Sequence, residues 1–460
     1  MMKVKATRSI YGISAAAAVS LLAMGSVVHS TAAYAATKPA KTSSVLPEIE
    51  VSPDEIIDNE YDWGRYGCHC PTCNYGDGND RQTFTDRAGN LWLAHVDPNT
   101  GMFIPQNAQG QLIDTNAAFT TDFGNGSEWM NSVNPSQIIY TKYIPGKPHN
   151  AANAGSAVAT PNGDGTWTAG VIPGGWQTHS PLASLNLEDV DPINNFQNGA
   201  DTEVLWQLWG QNTSTVVPDS SQSGGGSRRW VTDAHTIVFT TGAPPDSTGT
   251  VYQQVFTFNV DTTQLEQLTT DPVTKWGAFM WRAPEYNGDY VFLTVSGRTN
   301  LAIYHQITDA MGNSSWQLSD MIAMPTSMPY IWSPEPFIFN GKSYVMFQIS
   351  SSSQANDFSV PTQIAFTGIN PAVPSFRMLT NDASTPRVRM DPEYYITTNG
   401  PIVYYNRYHL ATATQKQSPD GVWYAPTNLG APIGNPCENN LPIIGGPGGL
   451  VIKQNGMMHR

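Results

Sequence analysis

The sequence predicts an all-β fold, a β-propeller, on three observations. Short strand-like runs recur throughout ("QIIYTKY", "HTIVFTTG", "QQVFTFNV", "DYVFLTVSG", "SYVMFQIS", "PIVYYNRY"). Clusters of Gly, Pro, Asn and Asp punctuate them, as turns require. One phrase, a carboxylate followed by a turn and an apolar strand, returns at a nearly constant interval. No long segment beyond the N-terminal region carries a helical period.

The repeat sets the architecture. "NGSEWMNSVNPSQIIYTKY" (125–143), "WRAPEYNGDYVFLTVS" (281–296), "WSPEPFIFNGKSYVMFQIS" (332–350) and "MDPEYYITTNGPIVYYNRY" (390–408) align on their glutamates. Weaker copies start near Ser180 and Val231. Taking Glu128, Ser180, Val231, Glu285, Glu335 and Glu393 as equivalent points gives intervals of 52, 51, 54, 50 and 58 residues. A period near 50 with about four short strands per unit is the signature of a propeller blade. Six blades are expected, with five and seven the other counts considered. The segment 90–115 reads as two outer strands without an inner pair. It could complete the last unit, 390–408, and close the ring by joining both chain ends in one blade. The rival is that 410–428 completes that blade itself.

Composition narrows the function. The chain has 460 residues and a net charge of −14, and only 13% of its residues are charged, about half the ~25% usual in globular proteins. With 40 Gly and 34 Pro, this suits an extracellular, turn-rich protein with a polar but weakly charged surface. No basic footprint exists to displace counterions from phosphates, so nucleic acid is excluded as a partner, as is an anionic membrane surface. Neutral carbohydrate or another small polar ligand fits. Residues 1–35 read as a signal peptide: a basic start ("MMKVKATR"), a short apolar core ("ISAAAAVSLLAMGSVV") and a small-residue cleavage site ("AYA"). The mature chain is expected outside the cytoplasm, secreted or periplasmic, with no later membrane span. Residues 36–58 read as a flexible leader, 59–82 as a Cys-rich segment and 83–460 as the propeller domain. Oligomeric state is not legible.

The Glu-bearing phrases carry a resemblance. The "W-x-PE…NG" pattern at 332–341 and its copies resemble the inner strands of secreted β-propeller glycosidases of the family 43 group, the arabinanase- and xylosidase-like enzymes. The "QLTTDP" ending (267–272) is similar to TolB-like propeller repeats. The resemblance spans roughly 85–410 as architecture and implies glycoside hydrolysis. Those enzymes resemble one another in having five blades. Their set of base, acid and orienting aspartate has no one-to-one counterpart here.

The candidate site follows from repeat geometry. Inner strands of a propeller all begin at one end of the channel, so equivalent residues converge there. Glu128, Glu285, Glu335, Glu393 and Asp391 are the candidate catalytic carboxylates, with Glu335 and Glu285 as acid and base or nucleophile. Two carboxylates are what glycoside hydrolysis needs, and mutual repulsion raises the pKa of one. Arg282 and Arg389, a few residues before their glutamates, are placed to pair with them. Trp129, Trp281 and Trp332 offer faces for sugar stacking, and His179 sits at a repeat anchor. The competing reading is that each repeated glutamate accepts backbone N–H bonds from the next blade and locks the ring, leaving a non-catalytic binding or scaffold propeller. A cation such as calcium held in the channel by several carboxylates is a third.

The four cysteines, Cys68, Cys70, Cys73 and Cys437, are expected to form two disulfides, as an even number in an exported chain usually does. A Cys68–Cys70 bridge is disfavoured by its one-residue spacer, and either other pairing ties Cys437 to the N-terminal cluster. The alternative is a zinc or copper site using Cys68, His69, Cys70, Cys73 and Cys437, which would make a metal-dependent secreted enzyme. "DGND" (77–80) with Asp86 lacks the full calcium-loop pattern and reads as a turn. No P-loop, GxSxG, HExxH or dinucleotide fingerprint is present. Thiol titration of the denatured mature protein, with metal analysis alongside, is expected to find no free thiol and no zinc or copper. Four titratable thiols with bound metal would replace the disulfide assignment.

Overall fold

Strand-forming residues here are cut into short runs by Asp- and Asn-led turns, and such runs pair with their nearest neighbours in sequence as antiparallel meanders. The computed structural model describes residues 45–52, 56–62, 80–104, 110–117, 127–130, 137–149, 153–176, 189–190, 228–230, 236–259, 262, 264–354, 357–370, 376–381 and 385–433. These belong to one unit, Thr42–Arg460. No helix among them is long and apolar enough to cross a membrane.

Six antiparallel sheets form among the described residues. The first strand, β1 (Ile49–Glu50), joins the last of them. Sheet I contains β2 (Ile56–Asp62), β3 (Asp80–Asp86), β4 (Leu91–Val96) and β5 (Phe103–Ile104), with β6 (Gln111–Asp114) also on β4. Sheet II is β7 (Ser127–Met130), β8 (Gln137–Tyr143), β9 (Ala154–Pro161) and β10 (Trp167–Trp176). In sheet III, β11 (Asp189–Val190) flanks β12 (Arg228–Trp230), followed by β13 (Thr236–Gly242), β14 (Gln253–Asn259) and β15 (Gln264–Gln267). Sheet IV is β16 (Lys275–Arg282), β17 (Tyr290–Ser296), β18 (Asn300–Thr308) and β19 (Ser314–Ala323). Sheet V is β20 (Tyr330–Phe339), β21 (Lys342–Ser350), β22 (Thr362–Gly368) and β23 (Arg377–Met378). Sheet VI is β24 (Val388–Thr397), β25 (Gly400–His409) and β26 (Ser418–Pro426), with β1 on the far side of β26. Packing runs from sheet II to I, VI, V, IV and III in succession. Successive meanders stacked face to face in this way make a β-propeller.

Burial explains the run-like sequence pattern. Middle strands are covered on both faces, so β22 is buried at every residue and β25 at almost every one. Polar residues return at the rim, where most of β19 is exposed. Aromatic rings fill the joints: Phe337 of sheet V lies 5.1 Å from Tyr394 of sheet VI, and Phe103 of sheet I lies 6.5 Å from Tyr404 of sheet VI. Leu91 and Leu93 of sheet I pack with Ile138 and Tyr140 of sheet II.

One turn chemistry recurs. Asp86, Asp246 and Asp309 each cap a tight turn with the side chain, and Gly89, Gly249 and Gly312 follow three residues later at φ 85°, 83° and 86°. Asp246 accepts from the N–H groups of Thr248 and Thr250 (2.8 and 2.9 Å), Asp309 from those of Met311 and Asn313 (2.8 and 2.9 Å). A side chain at these glycines would strain a left-handed backbone. Asp86 accepts from Asn90 N–H at 3.0 Å and the Trp92 indole at 2.7 Å, so its carboxylate serves the turn.

Two expectations are corrected. Segment 90–115 does not complete the last unit: β4 to β6 finish sheet I, whose inner strands come from 56–62 and 80–86. Those strands read "IIDNEYD" and "DRQTFTD", too charged to announce themselves. The third strand of sheet VI comes from 418–426, as the rival had it. The leader 36–58 is also shorter than its composition implies, because β1 pairs with β26 through Ile49–Tyr424 and Glu50–Trp423.

Glu48 explains why that strand docks. Its carboxylate takes both prongs of the Arg389 guanidinium (2.9 and 2.6 Å), the Tyr405 hydroxyl (2.6 Å) and Arg407 Nη1 at 3.5 Å. Arg389 is 1% exposed, and a buried cation without a matched anion is strongly destabilising. Asp420 ties Arg387 and Arg407 beside it at 2.7 and 2.6 Å. Burial opposes ionisation of Glu48, yet the bonds from Arg389 and Tyr405 and the charge of Arg407 hold its carboxyl below the ordinary 4.5.

A lowered folded pKa means that the stabilisation is complete above the unfolded value and is lost as pH falls through the folded one. Glu48→Gln is expected to cost about 3 kcal/mol near neutral pH, the scale for breaking one side of a buried pair. The gap from wild type should shrink below pH about 4.5, as measured by thermal or denaturant unfolding against pH. A gap independent of pH would refute the ionic role.

Candidate functional site

Each inner strand of sheets IV, V and VI is broken by a bulge near its start. Register slips between Trp276 and Phe279, between Trp332 and Glu335, and between Met390 and Glu393. Gly277, Ser333 and Asp391 occupy these bulges at φ 59°, 42° and 56°. Non-glycine residues seldom adopt this conformation, and bulges of this kind re-aim neighbouring side chains. Superposing the bulges makes Phe279, Glu335 and Glu393 equivalent, and likewise Trp276, Trp332 and Met390.

Glu285 therefore does not correspond to Glu335 and Glu393. It lies six residues further on, in a 3-10 turn (Pro284–Tyr286) between β16 and β17. That turn is at the far end of the inner strand from the bulge, so the expected convergence of Glu285 with Glu335 and Glu393 on one mouth is overturned. The dipeptide Pro-Glu serves two purposes: it opens a 3-10 turn at 284–286 and follows a bulge at 334–335 and 392–393. Sequence alignment cannot separate them.

The Glu285 carboxylate accepts from Ser343 twice, from the backbone N–H and from the hydroxyl at 2.9 Å. The Trp281 indole N–H donates to the same Ser343 oxygen at 3.0 Å. Ser343 opens β21, so this triad bolts sheet IV to sheet V. Trp281 is fully buried and has no face for a sugar. Arg282 does not pair with Glu285: it donates to the Gly288 carbonyl at 3.0 Å and stacks over Tyr290 at 4.0 Å. Arg389 pairs with Glu48, and also donates to the carbonyls of Thr362 and Asn381 at 3.0 and 3.1 Å. Glu335 and Glu393 are 7% and 3% exposed, each engaged with neighbours. Asp391 is half-buried.

At the end where the inner strands begin, Trp332 and Trp276 enclose an arginine that sequence reasoning passed over. Arg298, in the turn between β17 and β18, sits 3.7 Å from the Trp276 ring and 4.7 Å from that of Trp332. Its carbonyl accepts from Ile331 N–H at 3.0 Å, which ties the turn to β20. The legible signal was "KWGAF" (275–279) beside "IWSPE" (331–335): the tryptophan precedes the bulge in both.

A cavity of about 350 Å³ opens at the other end of sheet VI. Leu46, Asn99, Thr397, Asn399, Tyr424 and Asn428 contribute to its wall, which includes no carboxylate or cation. None of the sequence-predicted site residues lines it. Its volume falls within the ~300–1,000 Å³ of small-molecule sites.

Glu128 and Trp129 lie on β7, opposite Ile139 and Ile138; their side chains are outside the described residues. So are His179 and the whole Cys68, His69, Cys70, Cys73 and Cys437 set. Among the described residues, no group of three or more His, Cys, Asp or Glu side chains is placed to hold a metal ion.

No family model matches the chain, and no curated protein matches it. Solved structures similar to it include a point mutant of the Aleuria aurantia lectin in complex with Fucalpha1-6GlcNAc (9% identity, 77% of this chain and 94% of that one, TM-score 0.34). A protein assigned as TolB from Agrobacterium tumefaciens (11%, 70% and 81%, TM-score 0.30) and an exo-beta-1,3-galactanase from Clostridium thermocellum (8%, 65% and 57%, TM-score 0.31) are others. At such values these likenesses carry no inference about chemistry.

The Glu285–Ser343–Trp281 joint yields a stability test. Glu285→Ala strands the Ser343 N–H and is expected to cost about 1–3 kcal/mol. In a double-mutant cycle with Ser343→Ala, a coupling of about 1 kcal/mol is expected. Coupling near zero would show that the contact contributes nothing to the joint.

Proposed function

We propose that this chain is an exported binding propeller, without catalytic turnover, for carbohydrate or another small polar ligand. The observation that carries the reading is the fate of Glu285. A carboxylate singled out for chemistry is satisfied by the backbone and hydroxyl of Ser343, and Trp281 and Arg389 are likewise engaged in packing. The charge-poor composition and the uncharged cavity beside Asn399 and Tyr424 support a neutral ligand. The signal-like N-terminus supports export. In this reading the six sheets are the blades of one ring closed through sheet VI, and disulfides to Cys437 clamp its ends.

A second reading, glycoside hydrolysis, is favoured by one feature. Glu335 and Glu393 occupy the same bulge position in adjacent sheets, and both are buried. Glycoside hydrolysis uses a pair of carboxyl groups, one of them as a general acid.

Screening the mature protein against neutral oligosaccharides and chromogenic glycosides separates the two. Binding without product release is expected, unaltered in Glu335→Gln. Turnover that falls by about a hundredfold or more in Glu335→Gln or Glu393→Gln, the scale of a lost acid–base group, would establish the hydrolase instead.

A further inference from the structure

We propose that Arg298 forms a second binding site, at the opposite end of the strands from the Asn399–Tyr424 cavity, for an oxyanion group, a carboxylate or phosphate borne by a saccharide. This rests on the binding reading and extends it from neutral to acidic ligands. Three observations carry the assignment. The guanidinium carbon lies over both the Trp276 and the Trp332 ring, 3.7 and 4.7 Å from their centroids, and two such contacts restrain it. Its backbone is pinned as well: φ is 65°, and its carbonyl holds Ile331 N–H. Among the described residues, no carboxylate or carbonyl accepts from its side chain, although it is only partly exposed.

Four other described arginines bond within the protein. Arg387, Arg389 and Arg407 share Glu48 and Asp420, and Arg282 bonds the Gly288 carbonyl. In a chain of net charge −14, Arg298 is a half-buried cation with no carboxylate partner among the described residues. Burial lowers its pKa and no neighbouring carboxylate counters that, so an incoming anion would restore the balance. A planar guanidinium with several N–H donors matches carboxylate and phosphate oxygens two at a time. Preorganisation by the two indoles cuts the cost of ordering it. Ser333, exposed on the bulge beside Trp332, adds a hydroxyl near the same surface.

The test is calorimetric titration of the full mature chain with glucuronate, glucose 6-phosphate, glucose, a neutral oligosaccharide, acetate and inorganic phosphate. It is run on wild type, Arg298→Gln, Arg298→Lys and, as a control, Arg282→Gln. Folding of each variant is checked by thermal unfolding, and Arg298→Lys retains the charge should the glutamine variant fail to fold. The acidic sugars should bind at least tenfold more tightly than glucose. That advantage should vanish in Arg298→Gln, fall several-fold in Arg298→Lys, and survive in Arg282→Gln. If neutral sugar binds but acid gives no advantage, or the advantage persists in both Arg298 variants, the inference is overturned while the binding reading stands. If acetate and phosphate bind through Arg298 but no saccharide does, the oxyanion receptor stands and the carbohydrate reading falls. If nothing binds, both fall.

Discussion

The buried guanidinium of Arg389 is the constraint on which sheet VI depends. It lies in the first turn-proximal stretch of β24, out of water, and its charge must be matched inside the protein. Glu48 provides the match from the other end of the chain, 341 residues away in sequence. Tyr405 and Arg407 extend the same network across β25, and Asp420 carries it to β26. A two-residue strand has little pairing energy of its own. Ile49 and Glu50 are held because the residue before them completes a bidentate ion pair with Arg389.

The same economy governs the repeated carboxylates. A propeller sheet has two covered faces and must be joined to its neighbours without leaving backbone groups unsatisfied. At the joint of sheets IV and V, one serine receives a carboxylate and an indole together, and the polar groups at the start of β21 are used up. Repetition of glutamate then needs no shared reaction to explain it. The bulges are a separate matter. Three adjacent inner strands bend at the same place, using Gly, Ser and Asp at a backbone angle that favours the first of them.

The fold was legible in the sequence because it rests on local signals: run length, turn residues and period. Sheets III, V and VI could be read largely strand by strand, whereas of sheet IV only β17 could. Sheet I could not, since β2 and β3 are as rich in charge as a loop, and the Cys-rich stretch between them draws attention elsewhere. The site was less legible. Pro-Glu-aromatic describes two backbone environments, and only hydrogen-bond register tells a bulge from a 3-10 turn. Arg389 was noticed for the right reason, a charge in need of a partner, but the partner was sought four residues away when it lay in the presumed leader. Arg298 itself left no trace, only its tryptophan neighbours did, because a turn and two different strands bring them together.

The pairing of β1 with β26 also sets an order of assembly. Sheets II to V close on strands that follow one another within tens of residues, so each can form as soon as its own segment is available. Sheet VI cannot: its first strand to leave the ribosome has to wait for its last. Contacts of such long range are slow to form and late to be rewarded. Until then, the edge of β26 and the charge of Arg389 stay uncovered, and a partially folded chain carries an open flank of its own making.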